Sequence, residues 1–135
     1  MTFTPEEVAY IRAQRLARVA TAAPDGQPDV VPVGFEFDGT CFYIGGRDPE
    51  RTRRTRNVQA GNDKVALVID DVTADGGWSP RYLRVYGTTE LVERDTPMGR
   101  QLVMKVTPAV SWSFNLDGRP IAEAFGRGGP RRTEH

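Results

Sequence analysis

Short apolar runs separated by tight-turn signals constrain the fold of this chain more than any other feature of its sequence. Residues 24–26 (Pro-Asp-Gly) and residues 38–39 (Asp-Gly) are typical of hairpin turns. Strand-like runs flank these turns at 16–22, 30–37 and 40–44. In the second of these runs, every other residue is large and apolar, namely Val31, Val33, Phe35 and Phe37. The pattern predicts an antiparallel meander of three strands.

Three more strand-like runs follow in the second half. Residues 64–69 form a continuous apolar run, which predicts a central strand buried on both faces. Residues 82–92 contain Gly87 in their interior, which is typical of a bulge or bend where a barrel turns a corner. Residues 109–116 alternate cleanly, as in an antiparallel sheet. We therefore predict a mainly β fold, a six-stranded antiparallel split β-barrel with peripheral helices, with a helix-capped sandwich as the alternative.

Helices are expected at the periphery. Residues 4–15 begin with Thr-Pro-Glu-Glu, a capping sequence with proline in the first turn, and an apolar stripe follows. Met98, Leu102 and Val106 are spaced as on one face of a short helix that would end at Pro108.

Length and composition limit the class of protein. A chain of 135 residues predicts one domain, 1–135, in which the aperiodic segment 117–135 forms a loose C-terminal tail. Cys41 is the single cysteine, so no intrachain disulfide can form and a reducing cytoplasm is the expected location. The sequence shows no signal segment and no apolar run of membrane-spanning length, so no membrane association is expected. A net charge of zero argues against general nucleic-acid binding.

The sequence lacks most of the groups that catalysis usually requires. The single histidine, His135, ends the predicted tail, so we expect neither a Ser-His or Cys-His nucleophile nor a zinc site. Asp70, Asp71 and Asp75 could bind a hard cation, but such a cluster is more typical of a solvated loop, and no metal is predicted. Since no phosphate-loop or dinucleotide fingerprint follows a strand, a parallel nucleotide-binding fold is excluded. If the protein is an enzyme, a cofactor supplies the reactive centre, and no catalytic residue is assigned.

An arginine cluster is the strongest indication of a ligand. Residues 47–56 contain five arginines in a chain without net charge. Asp48 as N-cap and Pro49 at the first position predict a short helix, on which like charges three residues apart repel each other. An anionic ligand would offset this repulsion. The preceding strand, the Gly45-Gly46 turn and the arginine helix together favour phosphate binding, and a solvated surface helix is the alternative.

Two further residues suggest a groove. Pro32 cannot donate to a ladder, so the strand is either interrupted or bulged there, leaving backbone groups free, or Pro32 is simply an edge-strand proline. Trp78 lies in a glycine-containing loop at 75–80, where an aromatic side chain is either a lid or a dimer contact.

The order of several short motifs resembles a known family. These motifs are Val-Ala-Thr at 19–21, Pro-Asp-Gly-Gln-Pro at 24–28, Val-Pro-Val at 31–33, Phe-Asp-Gly at 37–39, Arg-Asn-Val at 56–58 and Gly-Trp at 77–78. The chain resembles the pyridoxamine-phosphate-oxidase-like split barrels, and within them it is most similar to the branch that uses the deazaflavin coenzyme F420. The resemblance covers about residues 8 to 116.

The resemblance implies a flavin-reductase-like split-barrel homodimer with a cofactor in a groove at the subunit interface. Arg54, aided by another arginine of the helix, would hold the cofactor phosphate, strand 30–33 would line the ring, and Trp78 would come from the partner subunit. The predicted cofactor-binding residues are Val30, Val31, Pro32, Val33, Gly45, Gly46, Arg51, Arg53, Arg54, Arg56, Asn57 and Trp78.

The function implied is an F420-dependent reduction of a conjugated C=C bond in a small molecule, such as a tetracycline-type or tetrapyrrole compound. The alternatives are an FMN-binding oxidoreductase, a non-catalytic flavin or deazaflavin binder, and a structural dimer without cofactor. Residues 126–135 lack the tryptophan- and arginine-bearing segment of pyridoxine-phosphate oxidases, which disfavours that activity. Tyr43, Tyr82, an arginine-held water and solvent remain candidates for the proton donor.

Overall fold

The computed structural model describes residues 2–73 and 77–135, which form three α-helices and eight strands. The helices are α1 (Pro5–Ala13), α2 (Arg53–Gln59) and α3 (Ile121–Gly126), and a short 3-10 helix at Pro49–Arg51 precedes α2. The strands are β1 (Ala17–Ala22), β2 (Pro28–Val33), β3 (Glu36–Phe37), β4 (Phe42–Ile44), β5 (Lys64–Val72), β6 (Pro80–Thr96), β7 (Gly99–Phe114) and β8 (Arg131–Glu134). Within these residues no helix is long and apolar enough to cross a membrane.

All strands belong to one antiparallel sheet that curls back on itself. The order is β2-β1-β5-β6-β7-β4-β3, with β8 paired to β7. Only Gly34 and Phe35 separate β2 at one margin from β3 at the other, so the two margins approach within about 11 Å at that point. The prediction of a mainly β, antiparallel split-barrel fold is confirmed.

The strand count rises from six to eight because the run at 30–37 divides in two and the segment predicted as a tail contributes β8. The run at 30–37 breaks at residues 34–35 and supplies both β2 and β3. The helix predicted from Met98 to Val106 is wrong, because residues 99–114 form β7 in a hairpin with β6. The positive φ of Gly99, 97°, closes this hairpin turn, which the spacing of three apolar residues could not reveal.

The interior of the curled sheet holds the apolar core. The largest fully buried side chains include Phe42, Ile11, Ile44, Leu67, Ile69 and Leu83. Burying each of them contributes roughly 1.5 to 3 kcal/mol to folding. Helix α1 closes one end of the core and begins with the predicted capping box, in which Thr4 and Glu7 exchange hydrogen bonds.

The sheet has a second face that the core does not cover. In β5 Val65, Leu67 and Ile69 are buried, while Ala66 and Val68 on the other face are partly exposed. The prediction that β5 is buried on both faces is therefore wrong for the single chain. The predicted bulge lies between Tyr86 and Gly87, where a Cβ on the glycine would come within 2.4 Å of the Thr107 carbonyl oxygen.

The expectation of a loose tail is also wrong. Residues 121–126 form α3, and β8 pairs with β7 from Val110 to Ser113. The ring of His135 packs on Phe3 with centroids 4.4 Å apart, and its Nε2 lies 2.8 Å from the Ser111 hydroxyl oxygen. A Ser-His pair therefore does form, but Ser111 is completely buried and cannot reach a substrate. Long-range pairing orders a segment whose local sequence has no periodicity.

Candidate functional site

Arg54 is the only arginine of the predicted cluster that packs against the barrel. Its Nη2 donates to the Gly45 carbonyl oxygen at 2.8 Å. Its Nε is buried and has no hydrogen-bond partner among the residues described. Burial lowers the pKa of Arg54, and the charge of Asp29 acts weakly in the opposite direction. A buried guanidinium donor without an acceptor is costly, and an anionic ligand would offset that cost.

The Gly45-Gly46 turn at the end of β4 is held from two sides. Arg54 donates a hydrogen bond to the carbonyl oxygen of Gly45. Nε2 of Gln101, on β7, donates to the carbonyl oxygen of Gly46 at 2.7 Å. Gly46 has φ of 138°, a conformation that favours glycine. A Cβ at Gly45 would lie 2.9 Å from the Gln101 side-chain oxygen, so a larger residue there would require the Gln101 side chain to move. Sequence reasoning missed Gln101, because only the β6–β7 hairpin brings it to this turn.

The helix predicted from Asp48 begins later than expected. Asp48 makes no side-chain capping bond, whereas the Thr52 hydroxyl oxygen accepts from the Thr55 amide at 3.3 Å and caps α2. The other three arginines predicted to bind the cofactor, Arg51, Arg53 and Arg56, are exposed. Their spacing along the sequence did not predict which arginine of the cluster would be half-buried, because α2 begins only after a 3-10 turn.

Asn57 has a partner inside the protein. Its side-chain amide donates to the Thr21 hydroxyl oxygen of β1 at 2.9 Å, and both residues are buried. This bond ties α2 to the sheet and thereby fixes the position of Arg54, three residues earlier. The structure therefore gives Asn57 a positioning role.

Strand β2 is an edge strand, and this location accounts for Pro32. Pro32 pairs with Arg18 in an unbroken register, so the edge-strand interpretation is correct and the predicted interruption at this residue is wrong. Val31 and Val33 face the core, while Val30 is 65% exposed. The free edge of β2 still offers backbone groups to a ligand, since β1 alone pairs with β2 among the described strands.

A cavity of about 270 Å³ lies directly beside Gly45 and Gly46. Its floor is apolar, and the β6–β7 hairpin forms one wall. It is lined by Val33, Gly34, Phe35, Glu36, Tyr43, Gly45, Gly46, Arg94, Thr96, Pro97, Met98, Gln101 and Val103. Of the predicted residues, Val33, Gly45 and Gly46 line this cavity, and Arg54 reaches it through Gly45.

Val30 and Trp78 line a separate, shallower cleft of about 460 Å³. Its rim contains two ion pairs, Arg18 with Asp70 at 2.7 Å and Arg81 with Asp71 at 2.7 Å. Arg81 lowers the pKa of Asp71. The two aspartates thus lie on β5 and bind arginines, while Asp75 and Gly76 of the predicted loop lie outside the described residues. Trp78 is 66% exposed.

An aromatic patch on the outer face of the sheet borders this cleft. Tyr82 stacks on Phe114 with centroids 5.6 Å apart, and Tyr86 meets Trp112 edge-on at 4.9 Å. The Arg84 guanidinium lies 4.1 Å from the Trp112 ring. Tyr86 is 47% exposed, Tyr82 and Trp112 are partly exposed, and Phe114 is buried. Partly exposed aromatic rings beside an arginine are typical of protein interfaces.

A comparison with protein families identifies this fold. The family described as pyridoxamine 5'-phosphate oxidase matches residues 3–122 of the 135. The chain belongs to this pyridoxamine 5'-phosphate oxidase family. The resemblance inferred from the order of the motifs is therefore confirmed at the level of the family.

Among the relatives of this chain is a protein of Streptomyces rimosus subsp. rimosus named 5a,11a-dehydrotetracycline/5a,11a-dehydrooxytetracycline reductase. The two are 45% identical over 93 residues, which cover 67% of this chain and 64% of the relative. The chain thus spans somewhat less than two thirds of the length of that relative.

Solved structures show the same fold at low identity. An F420 reductase superposes with a TM-score of 0.55 at 22% identity, covering 73% of this chain and 90% of that one. The heme storage protein HutZ of Vibrio cholerae superposes with a TM-score of 0.62 at 15% identity, covering 80% of this chain and 91% of that one. At such identities these likenesses speak for the fold alone.

The predicted residues of this family member therefore fall into three groups. Arg54, Gly45, Gly46 and Val33 come together at the cavity, whereas Val30 and Trp78 share the outer cleft. Asn57 lies in the interior, and the three exposed arginines face solvent. A single chain thus forms a cavity at the Gly45-Gly46 turn and a separate, more open cleft at Trp78.

Proposed function

We propose that this protein is an F420-dependent reductase that reduces a conjugated C=C bond of a small molecule. The observation that carries the proposal is Arg54, a half-buried arginine whose Nε is buried and has no hydrogen-bond partner among the described residues. Its Nη2 binds the carbonyl oxygen of Gly45, which lines an apolar cavity. The 45% identity to a protein named as a dehydrotetracycline reductase supports the reaction class. The likeness of the motif order to the F420-using branch supports the cofactor.

The residues at this end of the groove fit an anionic cofactor. Arg54 keeps its Nε available after its Nη2 has bound Gly45, and a phosphate oxygen is a good acceptor for a guanidinium. The two glycines bring the backbone close to the site without side chains. Val33 and the free edge of β2 would lie along a ring system.

When bound, reduced F420 would supply a hydride, and the protein would bind and orient the reactants and exclude water. Tyr43 does not act as the proton donor in this proposal. Its hydroxyl donates to Asp38 at 2.9 Å, and this bond raises its pKa. Tyr43 therefore keeps its proton and serves as a wall of the cavity, while Tyr82 is stacked on Phe114. Water at the open side of the groove would supply the proton.

The active form in this proposal is a homodimer. The exposed surfaces of Tyr82, Tyr86 and Trp112 would be buried against a second copy. Tyr82 also lines the cleft that holds Trp78, so the interface would extend to that cleft. Because the cleft is open in one chain, a second copy would complete the groove around the cofactor.

A parallel titration with F420 and FMN tests the assignment. Binding of F420, followed by oxidation of reduced F420 when a dehydrotetracycline is added, is the expected result. Preference for FMN would replace the cofactor assignment, since both molecules carry a phosphate that Arg54 can bind. Binding without turnover would make the protein a carrier, and no binding of either would leave a structural dimer.

A further inference from the structure

The cavity beside Gly45 and Gly46 extends beyond the residues assigned to the cofactor. Its far wall is the hairpin between β6 and β7, which contributes Thr96, Pro97 and Met98. Val103 and Phe35 form its floor. These side chains are apolar or nearly so, and none of them belongs to the predicted phosphate site. The hairpin wall is therefore available to bind a second ligand beside the cofactor.

Arg94 gives this wall a flat, polar surface. Its guanidinium carbon lies 3.7 Å from the centroid of the Tyr43 ring, and its Nε and Nη2 both donate to Glu36 Oε2, at 3.3 and 3.2 Å. The Tyr43 hydroxyl is in turn held by Asp38. Three side chains, those of Tyr43, Glu36 and Asp38, thus fix the orientation of the guanidinium plane. A planar cation fixed on a tyrosine is a good stacking surface for another ring.

The charge of the wall is balanced. Glu36 neutralises Arg94 in an ion pair, so this end of the cavity attracts small anions less than Arg54 does. Met98 stands at the mouth and is 66% exposed, although it is a large apolar side chain. A methionine adapts its shape to flat apolar ligands. The combination therefore favours shape and stacking over charge as the means of recognition.

We propose that this cavity binds one end of the substrate, a planar and largely apolar fused-ring compound, with Arg94 and Met98 as the residues that select it. The inference rests on the proposed function and adds the substrate class and its location. A volume of about 270 Å³ is at the lower limit for a small-molecule pocket, so the remaining rings would extend toward the groove beside Gly45.

Gly34 allows the cavity to be filled without disturbing the fold. It lines the cavity, its φ is ordinary, and a Cβ placed on it meets no atom within 4 Å. Gly34→Phe should therefore place a ring inside the cavity. Gly126, in α3, also has open space around it and an ordinary φ, so Gly126→Phe is the matched control.

The experiment measures tetracycline binding by equilibrium dialysis, with and without saturating F420, on the parent chain, both glycine variants, Arg94→Ala and Met98→Glu. F420 binding is titrated separately on each protein. We expect Gly34→Phe to weaken tetracycline binding at least tenfold, Arg94→Ala and Met98→Glu to weaken it several-fold, and Gly126→Phe to bind as the parent does. F420 affinity should change less than twofold in Met98→Glu and Gly126→Phe, since neither residue is among those assigned to the cofactor.

The two glycine variants and the exposed Met98→Glu distinguish a loss of the binding site from a loss of the fold. If Gly34→Phe and Met98→Glu bind tetracycline as the parent does, the cavity is not the substrate site. If the parent chain binds no tetracycline at millimolar concentration in either condition, the assigned substrate class is wrong. A parent that binds tetracycline in the cavity but binds no F420 would preserve this inference and overturn the cofactor assignment.

Discussion

The Gly45-Gly46 turn and the Trp78 cleft differ in how completely a single chain builds them. At the Gly45-Gly46 turn, side chains from α2 and β7 hold both backbone carbonyls at 2.8 and 2.7 Å, and a cavity lies alongside. At the Trp78 cleft, by contrast, Val30 and Trp78 are largely exposed and the ion pairs of the rim lie near solvent. The first region is organised by contacts inside the chain. The second would become a binding surface only when something covers it.

In the proposed function, the glycine turn would contribute to ligand binding and the Trp78 cleft to dimer assembly. A preorganised donor adds binding energy because no ordering has to occur when the ligand arrives. Exposed aromatic side chains add binding energy only when a partner buries them. Substitutions in the two regions should therefore fail in different ways, and the following variants separate these failures.

The largest effect is expected on the outer face. Trp112→Glu places a charge in the aromatic patch, where the partner would bury it, so the dimer should dissociate completely at micromolar concentration and lose F420 binding. Light scattering measures the mass and fluorescence titration measures the cofactor. Thr40→Glu, in the exposed turn before β4, carries the same charge and should remain dimeric. A Trp112→Glu protein that is still a dimer contradicts the proposed interface.

The second effect concerns the arginines of the cluster. Arg54→Ala should weaken F420 binding about 10- to 100-fold, since a charge-assisted bond contributes roughly 1.5 to 3 kcal/mol. Arg54→Lys should lose less F420 affinity, because lysine keeps the positive charge but lacks the paired donors of the guanidinium. Arg56→Ala removes an exposed arginine from the same helix and should change the affinity less than twofold. Equal losses in Arg54→Ala and Arg56→Ala would show that the cluster acts only through its overall charge.

A smaller effect is expected at Gln101. Gln101→Ala leaves the Gly46 carbonyl without its side-chain donor, so the turn should loosen and F420 affinity should fall about two- to tenfold, the equivalent of one neutral hydrogen bond. Gln59→Ala, on the exposed end of α2, is the control. Unchanged affinity in Gln101→Ala would mean that Arg54 alone holds the turn.

The smallest effect concerns stability at the Trp78 cleft. Arg81 lowers the pKa of Asp71, so this carboxylate stabilises the folded state above its unfolded pKa near 3.8, and that contribution is lost as the pH falls through its folded pKa. Asp71→Asn should lower the free energy of unfolding by about 1 kcal/mol at pH 7, because the pair is partly solvated.

Thermal melting from pH 7 to pH 3 measures this contribution. The difference between the parent and Asp71→Asn should shrink toward the acid end, because the parent carboxylate becomes protonated there. Asp95→Asn, at a pair near the exposed β6–β7 turn, should show little difference at any pH. A difference for Asp71→Asn that is independent of pH would contradict the assigned role of its charge.

Local patterns predicted much of the fold because they act over a few residues. The Thr4 cap, the turns at 24–26 and 38–39 and the bulge at Gly87 were all found where expected. Where two local patterns competed, however, the prediction failed. Met98, Leu102 and Val106 fit a helix by spacing, but pairing of β7 with β6 and β4 overrides that spacing. The segment 117–135 failed for the related reason that its order comes from β7.

The sequence by itself determined the antiparallel barrel, the family and the presence of an arginine cluster after a Gly-Gly turn, because alternation, turn chemistry and charge are local properties of the chain. The family resemblance singled out Arg54, but only the tertiary structure showed how it is held, since Thr52 caps α2 and the bond from Asn57 to Thr21 anchors that helix to the sheet. It also decided that Gln101 and Arg94, about fifty residues away in sequence, meet the glycine turn and the cavity. Such pairings depend on strand register, and a hairpin of long strands fixes that register through contacts that no short window of sequence contains.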